Sequence, residues 1–234
     1  MKLLILGGMH GNERLGVDLV RSLQEQPIRG VDSFIANPRA VEQNARYVES
    51  DLNRSFGRQN EATYETRRAL LLQNITAKYD VVLDFHNTQT PNNNCCFVGE
   101  RCEERLYNVA KQLRFSRCIE ATYDCVNKYC PNTISIEISV NDKLDSVEYW
   151  RKAIQLLMAE SYSAKNATLD IYRFLKRVTH NEQQAFDLSR WEPFRPLSKT
   201  DKKLLNVEGE VVPIFIGSRL TEFYATLINK TGEK

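Results

Sequence analysis

The sequence predicts an α/β fold: a largely parallel or mixed sheet with helices on both faces, followed by a small β-rich unit. Three observations predict it. Short apolar runs alternate with amphipathic, helix-like stretches as far as about residue 160. The residues best suited to chemistry follow strand-like runs, where loops at the carboxyl ends of strands build active sites. Beyond Ser161–Thr168 the pattern changes to strand-like segments separated by a polar, proline-containing stretch.

The first run, Met1–Leu6, breaks at Gly7-Gly8. That is too short for the apolar region of a signal peptide, and it reads as a first strand over 2–6. Leu15, Leu19 and Leu23, with Val20 beside them, define the first helix, which ends before Pro27. Further strands are expected at 31–36, 80–85, 117–121 and 133–139, and further helices near 62–78, 101–113 and 145–160. In the second unit, Asp170–Val178 and Glu210–Ile216 read as strands, with the polar stretch Trp191–Lys203 between them. Asn229–Lys234 reads as a frayed end. The division expected is an α/β domain over 1–163 and a β-rich domain over 164–234.

Composition narrows the function classes. Net charge is only +2, from 32 basic and 30 acidic residues, so there is no electrostatic footprint for nucleic acid or an anionic membrane. No apolar stretch approaches the length of a membrane span. The six cysteines show no C-x-x-C spacing and read as reduced thiols of a cytoplasmic protein.

The chain has three histidines. Two of them, His10 in Gly7-Gly8-Met9-His10-Gly11-Asn12-Glu13 and His86 in Asp84-Phe85-His86-Asn87-Thr88, follow strand-like runs. Glu13 lies three residues after His10 on the turn into the first helix. Two imidazoles and one carboxylate form the ligand set of a hydrolytic zinc site, which keeps a position open for water. Taken alone each residue has a plainer reading: a turn histidine, a first-turn glutamate, a strand-end histidine bonded to backbone. Between them runs an aperiodic stretch holding Asn37, Arg39, Arg46, Asp51, Asn53 and Arg54. Long irregular loops in a compact domain are usually functional, and arginine and asparagine bind carboxylates and polarise carbonyls.

These motifs resemble a known family. G-G-x-H-G-N-E, N-P-R-A, R-Y-x-x-x-D-L-N-R-x-F, D-x-H-N-T and a later I-E-I occur here in the order and spacing of the aspartoacylase/succinylglutamate desuccinylase family, relatives of zinc carboxypeptidases. The resemblance implies a zinc-carboxypeptidase-like mixed sheet and one zinc ion per chain, held by His10, Glu13 and His86. It implies that Glu137 is the catalytic glutamate, taking a proton from the attacking water and passing it to the leaving amine. Arg46 polarises the scissile carbonyl in this reading. Asn53 and Arg54 hold a substrate carboxylate, and Tyr123, fourteen residues before Glu137, contacts substrate. By pattern alone, Glu137 faces away from Ile134, Ile136 and Ile138. Whether that face is solvent or cleft is decided by the resemblance.

The chain departs from the family in two places. Asn127, with Lys128 next to it, stands where the family carries a second carboxylate-binding arginine. A C-terminal tyrosine of the family has no aligned counterpart; the position falls at Thr221, with Tyr224 nearby. The expected function is a cytoplasmic zinc-dependent amidohydrolase that cleaves the amide of a small carboxylated N-acyl amino acid. A carboxypeptidase-like exopeptidase and a catalytically inactive protein that binds a carboxylated metabolite are the alternatives.

Overall fold

The elements follow the sequence periodicities. In chain order they are β1 (Leu3–Gly7), α1 (Arg14–Glu25), β2 (Val31–Ile35), α2 (Pro38–Glu42), α3 (Leu52–Ser55), α4 (Tyr64–Thr76), β3 (Val81–Thr88), β4 (Cys95–Gly99) and α5 (Glu104–Gln112). Then come β5 (Arg117–Ala121), α6 (Val126–Tyr129), β6 (Thr133–Ser139), α7 (Val147–Met158), β7 (Asp170–Thr179), α8 (Lys199–Leu205), β8 (Val211–Ile214) and β9 (Phe223–Glu233). The computed structural model describes residues 1–58, 62–159, 167–180, 190–217 and 223–234. The expected boundary at 163/164 and Thr221 lie outside the described residues.

Among the described residues the strands form one mixed sheet in the order β2-β1-β3-β6-β4-β5-β7-β9-β8. The strands β2, β1, β3 and β6 run parallel; β4 is antiparallel to β6 and parallel to β5. Strand β7 joins β5 in parallel, and β9 and β8 complete the far edge through antiparallel pairs. The central strands are buried on both faces, which is why they read as continuous apolar runs. Leu3 and Ile5 of β1 pack with Leu15, Leu19 and Leu23 of α1 and with Trp150 of α7 on one face. Leu4 and Leu6 meet Leu52 of α3, Leu72 of α4 and Val126 of α6 on the other. Trp150 is fully buried and stands edge-on to Phe85, with ring centroids 4.9 Å apart.

Two strands differ from the sequence expectation. Cys95–Gly99 is a strand buried at every position, wedged between β6 and β5. Its short apolar run has no alternation to mark it, and periodicity cannot identify such a strand. The end of the chain is also paired rather than frayed. Strand β9 runs to Glu233 between β7 and β8, and Leu169 and Lys234 exchange both backbone hydrogen bonds, each at about 3.0–3.1 Å. Residues 229–233 carry few apolar side chains, so their order comes from the ladder of a neighbouring strand and not from their own pattern.

The sheet positions the chemistry. β1 and β3 are neighbours in register, Gly7 beside Phe85, so the residues that follow them emerge together. β6 lies on the other side of β3 and places Glu137 directly beside His86.

Candidate metal centre and active site

His10 lies on the turn after β1. This turn is tight: Gly8 takes a left-handed conformation, φ +70°, and a Cβ on Gly11 would collide with the Ala40 backbone. The motif therefore needs glycine for close approach as well as for turning. Glu13 precedes α1 as its N-cap residue, and its side chain is directed to the histidines instead of capping the helix.

Glu13 bridges the two imidazoles. Its Oε1 lies 2.7 Å from His10 Nδ1 and its Oε2 lies 2.8 Å from His86 Nδ1. The ring centroids are 5.1 Å apart. One donor atom from each of the three residues falls within 4.8 Å of the others. On the far side of each ring a carboxylate is waiting: Asp51 Oδ1 is 3.2 Å from His10 Nε2, and Asp84 Oδ2 is 2.8 Å from His86 Nε2. A carboxylate behind each imidazole fixes its tautomer and raises its basicity, as around ligating histidines. Sequence reasoning assigned no role to Asp84 or Asp51. Asp84 had a signal, since residues i and i+2 of a strand share a face with His86; Asp51 lies in the polar loop, but at 41 residues from His10 nothing local pointed to that pairing.

The charge balance fits a bound cation. Burial works against protonating His10, but Glu13 and Asp51 outweigh it and hold the ring above its ordinary value of 6.5. His86 is likewise raised by Asp84 and Glu13 against its own burial. Glu13, despite a burial cost, is held well below the usual carboxylate range by the two imidazoles. Asp51, despite its own burial cost, is lowered similarly by His10, Arg46 and Arg54. The site attracts positive charge strongly, and a divalent cation there would take the place of the imidazole protons.

A cavity of about 1090 Å³ opens over this cluster and is bordered by every site residue expected from the sequence: His10, Glu13, Arg46, Asn53, Arg54, His86, Tyr123 and Glu137. Ile134, Ile136 and Ile138 are fully buried in the core behind it. The half-buried Glu137 thus faces a cleft, where burial first, and then the Glu13 charge, push its carboxyl up to about 7 against the pull of His86, His10 and Arg46. Arg46 holds Asp51 Oδ2 through Nη2 at 2.9 Å and reaches within 3.9 Å of Glu13. Arg54 lies over the Tyr123 ring, 4.8 Å from its centroid, and burial pushes the Tyr123 hydroxyl up to about 12. Asn53 accepts from the Val126 amide through Oδ1 at 3.0 Å, which leaves its amide hydrogens as donors.

Other residues of the expected polar loop have different work. Asn37 and Arg39 do not border the cavity. Asn37 is buried and caps α2, while Arg39 lies over Tyr64 at 4.4 Å. Asn127 borders the cavity, but its amide hydrogens go to Phe97 O and Thr133 O, both at 3.1 Å. Lys128 is exposed and paired with Asp124 at 2.7 Å. Tyr224 does not border the cavity; its ring meets His180 at 6.0 Å.

The chain is similar to known proteins over most of its length. Mouse aspartoacylase is 27% identical over 91% of this chain and 83% of its own. A succinylglutamate desuccinylase from Chromobacterium violaceum superposes with TM-score 0.75 at 14% identity, covering 98% of this chain and 84% of its own. Murine aminoacylase 3 superposes with TM-score 0.70 at 21% identity, covering all of this chain and 96% of its own. At those identities the two structures speak for the fold. The model of the succinylglutamate desuccinylase/aspartoacylase catalytic domain matches residues 1–141, the segment that carries His10, Glu13, His86 and Glu137. With more than half of its length in that match and its sheet in that fold, the chain belongs to the succinylglutamate desuccinylase/aspartoacylase family.

Proposed function

We propose that this protein is a zinc-dependent amidohydrolase that cleaves the amide of a small N-acyl amino acid. The observation that carries the reading is the convergence of both imidazole Nδ1 atoms on Glu13, beneath a cavity bordered also by Arg46 and Glu137. The names of its relatives, aspartoacylase, succinylglutamate desuccinylase and aminoacylase, support an N-acyl amino acid as substrate. Six free cysteines support a reducing, cytoplasmic location. Among the described residues, no helix is long and apolar enough to cross a membrane.

His10, Glu13 and His86 would hold the metal, leaving the cavity side open for water and substrate. Zinc supplies Lewis acidity there and can bring the pKa of water to about 7. The chain's own groups do the rest. Glu137, whose carboxyl is raised by burial, takes the proton of the attacking water and delivers it to the departing amine; a carboxyl raised toward ambient pH can serve both as base and as acid. Arg46 donates to the carbonyl oxygen as negative charge grows on it, a contact that strengthens only in the transition state. Asp51 keeps that guanidinium in place. Arg54 and the amide of Asn53 hold the substrate carboxylate.

An amine-release screen over N-acyl amino acids, run with and without chelator, tests the proposal. Zinc-dependent release is expected, and equal rates after complete chelation would overturn it. Arg54→Lys gives the finer test. An ammonium cannot reproduce the planar fork or its contact with Tyr123. KM should rise by roughly one to two orders of magnitude, for a charge-assisted bond of about 1.5–3 kcal/mol, with kcat little changed. Substrates whose carboxylate is amidated should bind poorly to wild type and lose little more in the variant. An equal loss for both substrates would remove Arg54 as the carboxylate anchor.

A further inference from the structure

Glu65 sits in the first turn of α4 and is 0% exposed. It does not border the cavity. Its carboxylate accepts four hydrogen bonds: Oε1 from Val48 N at 2.8 Å and Asn37 Nδ2 at 3.2 Å, and Oε2 from Glu49 N and Ser50 N, both at 3.2 Å. Three consecutive backbone amides of a loop thus converge on one side chain. The loop answers in kind, since Glu49 Oε2 accepts from Tyr64 N at 2.7 Å.

Those amides lie between the residues that matter. Arg46 is two positions before Val48, and Asp51 directly follows Ser50. Asp51 in turn holds both Arg46 and His10. The fourth donor leads to the same place by another route. Asn37 donates its backbone amide to Gly8 O at 3.0 Å, two residues before His10. Glu65 therefore ties together the two segments that set the position of His10 and of the guanidinium beside it.

We propose that Glu65 is a positioning residue, which holds the 46–51 loop so that Asp51 and Arg46 are aimed at His10 and Glu13. A glutamine in its place keeps the shape but turns one acceptor oxygen into a donor facing amide donors. The loop then loses its anchor. The catalytic part of this inference rests on the proposed hydrolysis; the metal and loop parts do not.

The test compares Glu65→Gln with Leu72→Ala, a core truncation seven residues further along the same helix, at a fully buried residue that takes no part in the loop's hydrogen bonds. Zinc affinity by chelator competition, amide exchange at Val48–Ser50 and kcat/KM are measured on both. Glu65→Gln should bind zinc about 10–100-fold more weakly, as is typical when an outer support of a metal site is lost. It should expose those three amides to exchange and lower kcat/KM by at least about tenfold. Leu72→Ala should lower the melting temperature with metal affinity and kcat/KM near wild type. Wild-type zinc affinity and amide protection in folded Glu65→Gln, or the same zinc loss in Leu72→Ala, would overturn the proposal. Should Glu65→Gln not fold, Glu65→Asp, which withdraws the charge by one methylene, carries the same comparison. If the wild type releases no amine from any N-acyl amino acid, the hydrolase reading fails, while zinc affinity and exchange still decide the role of Glu65.

Discussion

Glu137→Gln should fold, bind zinc at one per chain, and turn over about 10²–10⁴-fold more slowly than wild type. The amide fills the same space on β6, between Ile136 and Ile138, but cannot accept and release the proton. The loss should fall on kcat, with KM nearly unchanged, because substrate binding is assigned to Arg54 and Asn53. The wild-type rate should also decline as pH falls. Burial raises the Glu137 carboxyl, so the basic form is lost as pH drops through its pKa, and a bound dication would move that point to lower pH. The acid limb should disappear in the variant. Near wild-type kcat in Glu137→Gln would make this residue structural.

Substitution of a metal residue should have an effect as large. His10→Ala, Glu13→Ala and His86→Ala should each reduce zinc from one per chain to below stoichiometry and abolish turnover, since a site of three protein ligands tolerates no deletion. The three differ in their cost to the fold. In His10→Ala, Asp51 keeps Arg46 at 2.9 Å and remains paired. In His86→Ala, the fully buried Asp84 keeps, among the described residues, only the Ser135 hydroxyl, at 3.3 Å. Stranding a buried charge commonly costs about 3–5 kcal/mol. His86→Ala should therefore melt well below His10→Ala, as measured by thermal unfolding in chelator. Full zinc occupancy in any of the three, by metal analysis of the folded protein, would remove that residue from the ligand set.

The alternation of elements and the residue types of the site are legible in the sequence. The spacing of Leu15, Leu19 and Leu23 defines α1 whatever surrounds it, and the apolar runs ending near Gly7 and Phe85 place His10 and His86 at strand ends. Such features are legible because period and chain breaks are local properties. The motif spacings added the likeness to a family, and with it the expectation that Glu137 faces a cleft. The pairings arise only on folding. Register between β1, β3 and β6 sets His10, His86 and Glu137 side by side. The partner of His10 Nε2 is 41 residues away, and the acceptor of the Val48–Ser50 amides is 15 to 17 residues away on a helix. The order of β9 likewise depends on β7 and β8. A carboxylate that will orient a histidine, clamp a loop or simply meet solvent looks the same in a sequence. Which of these it does depends on burial and on donors brought near by packing, and neither exists until the chain has folded.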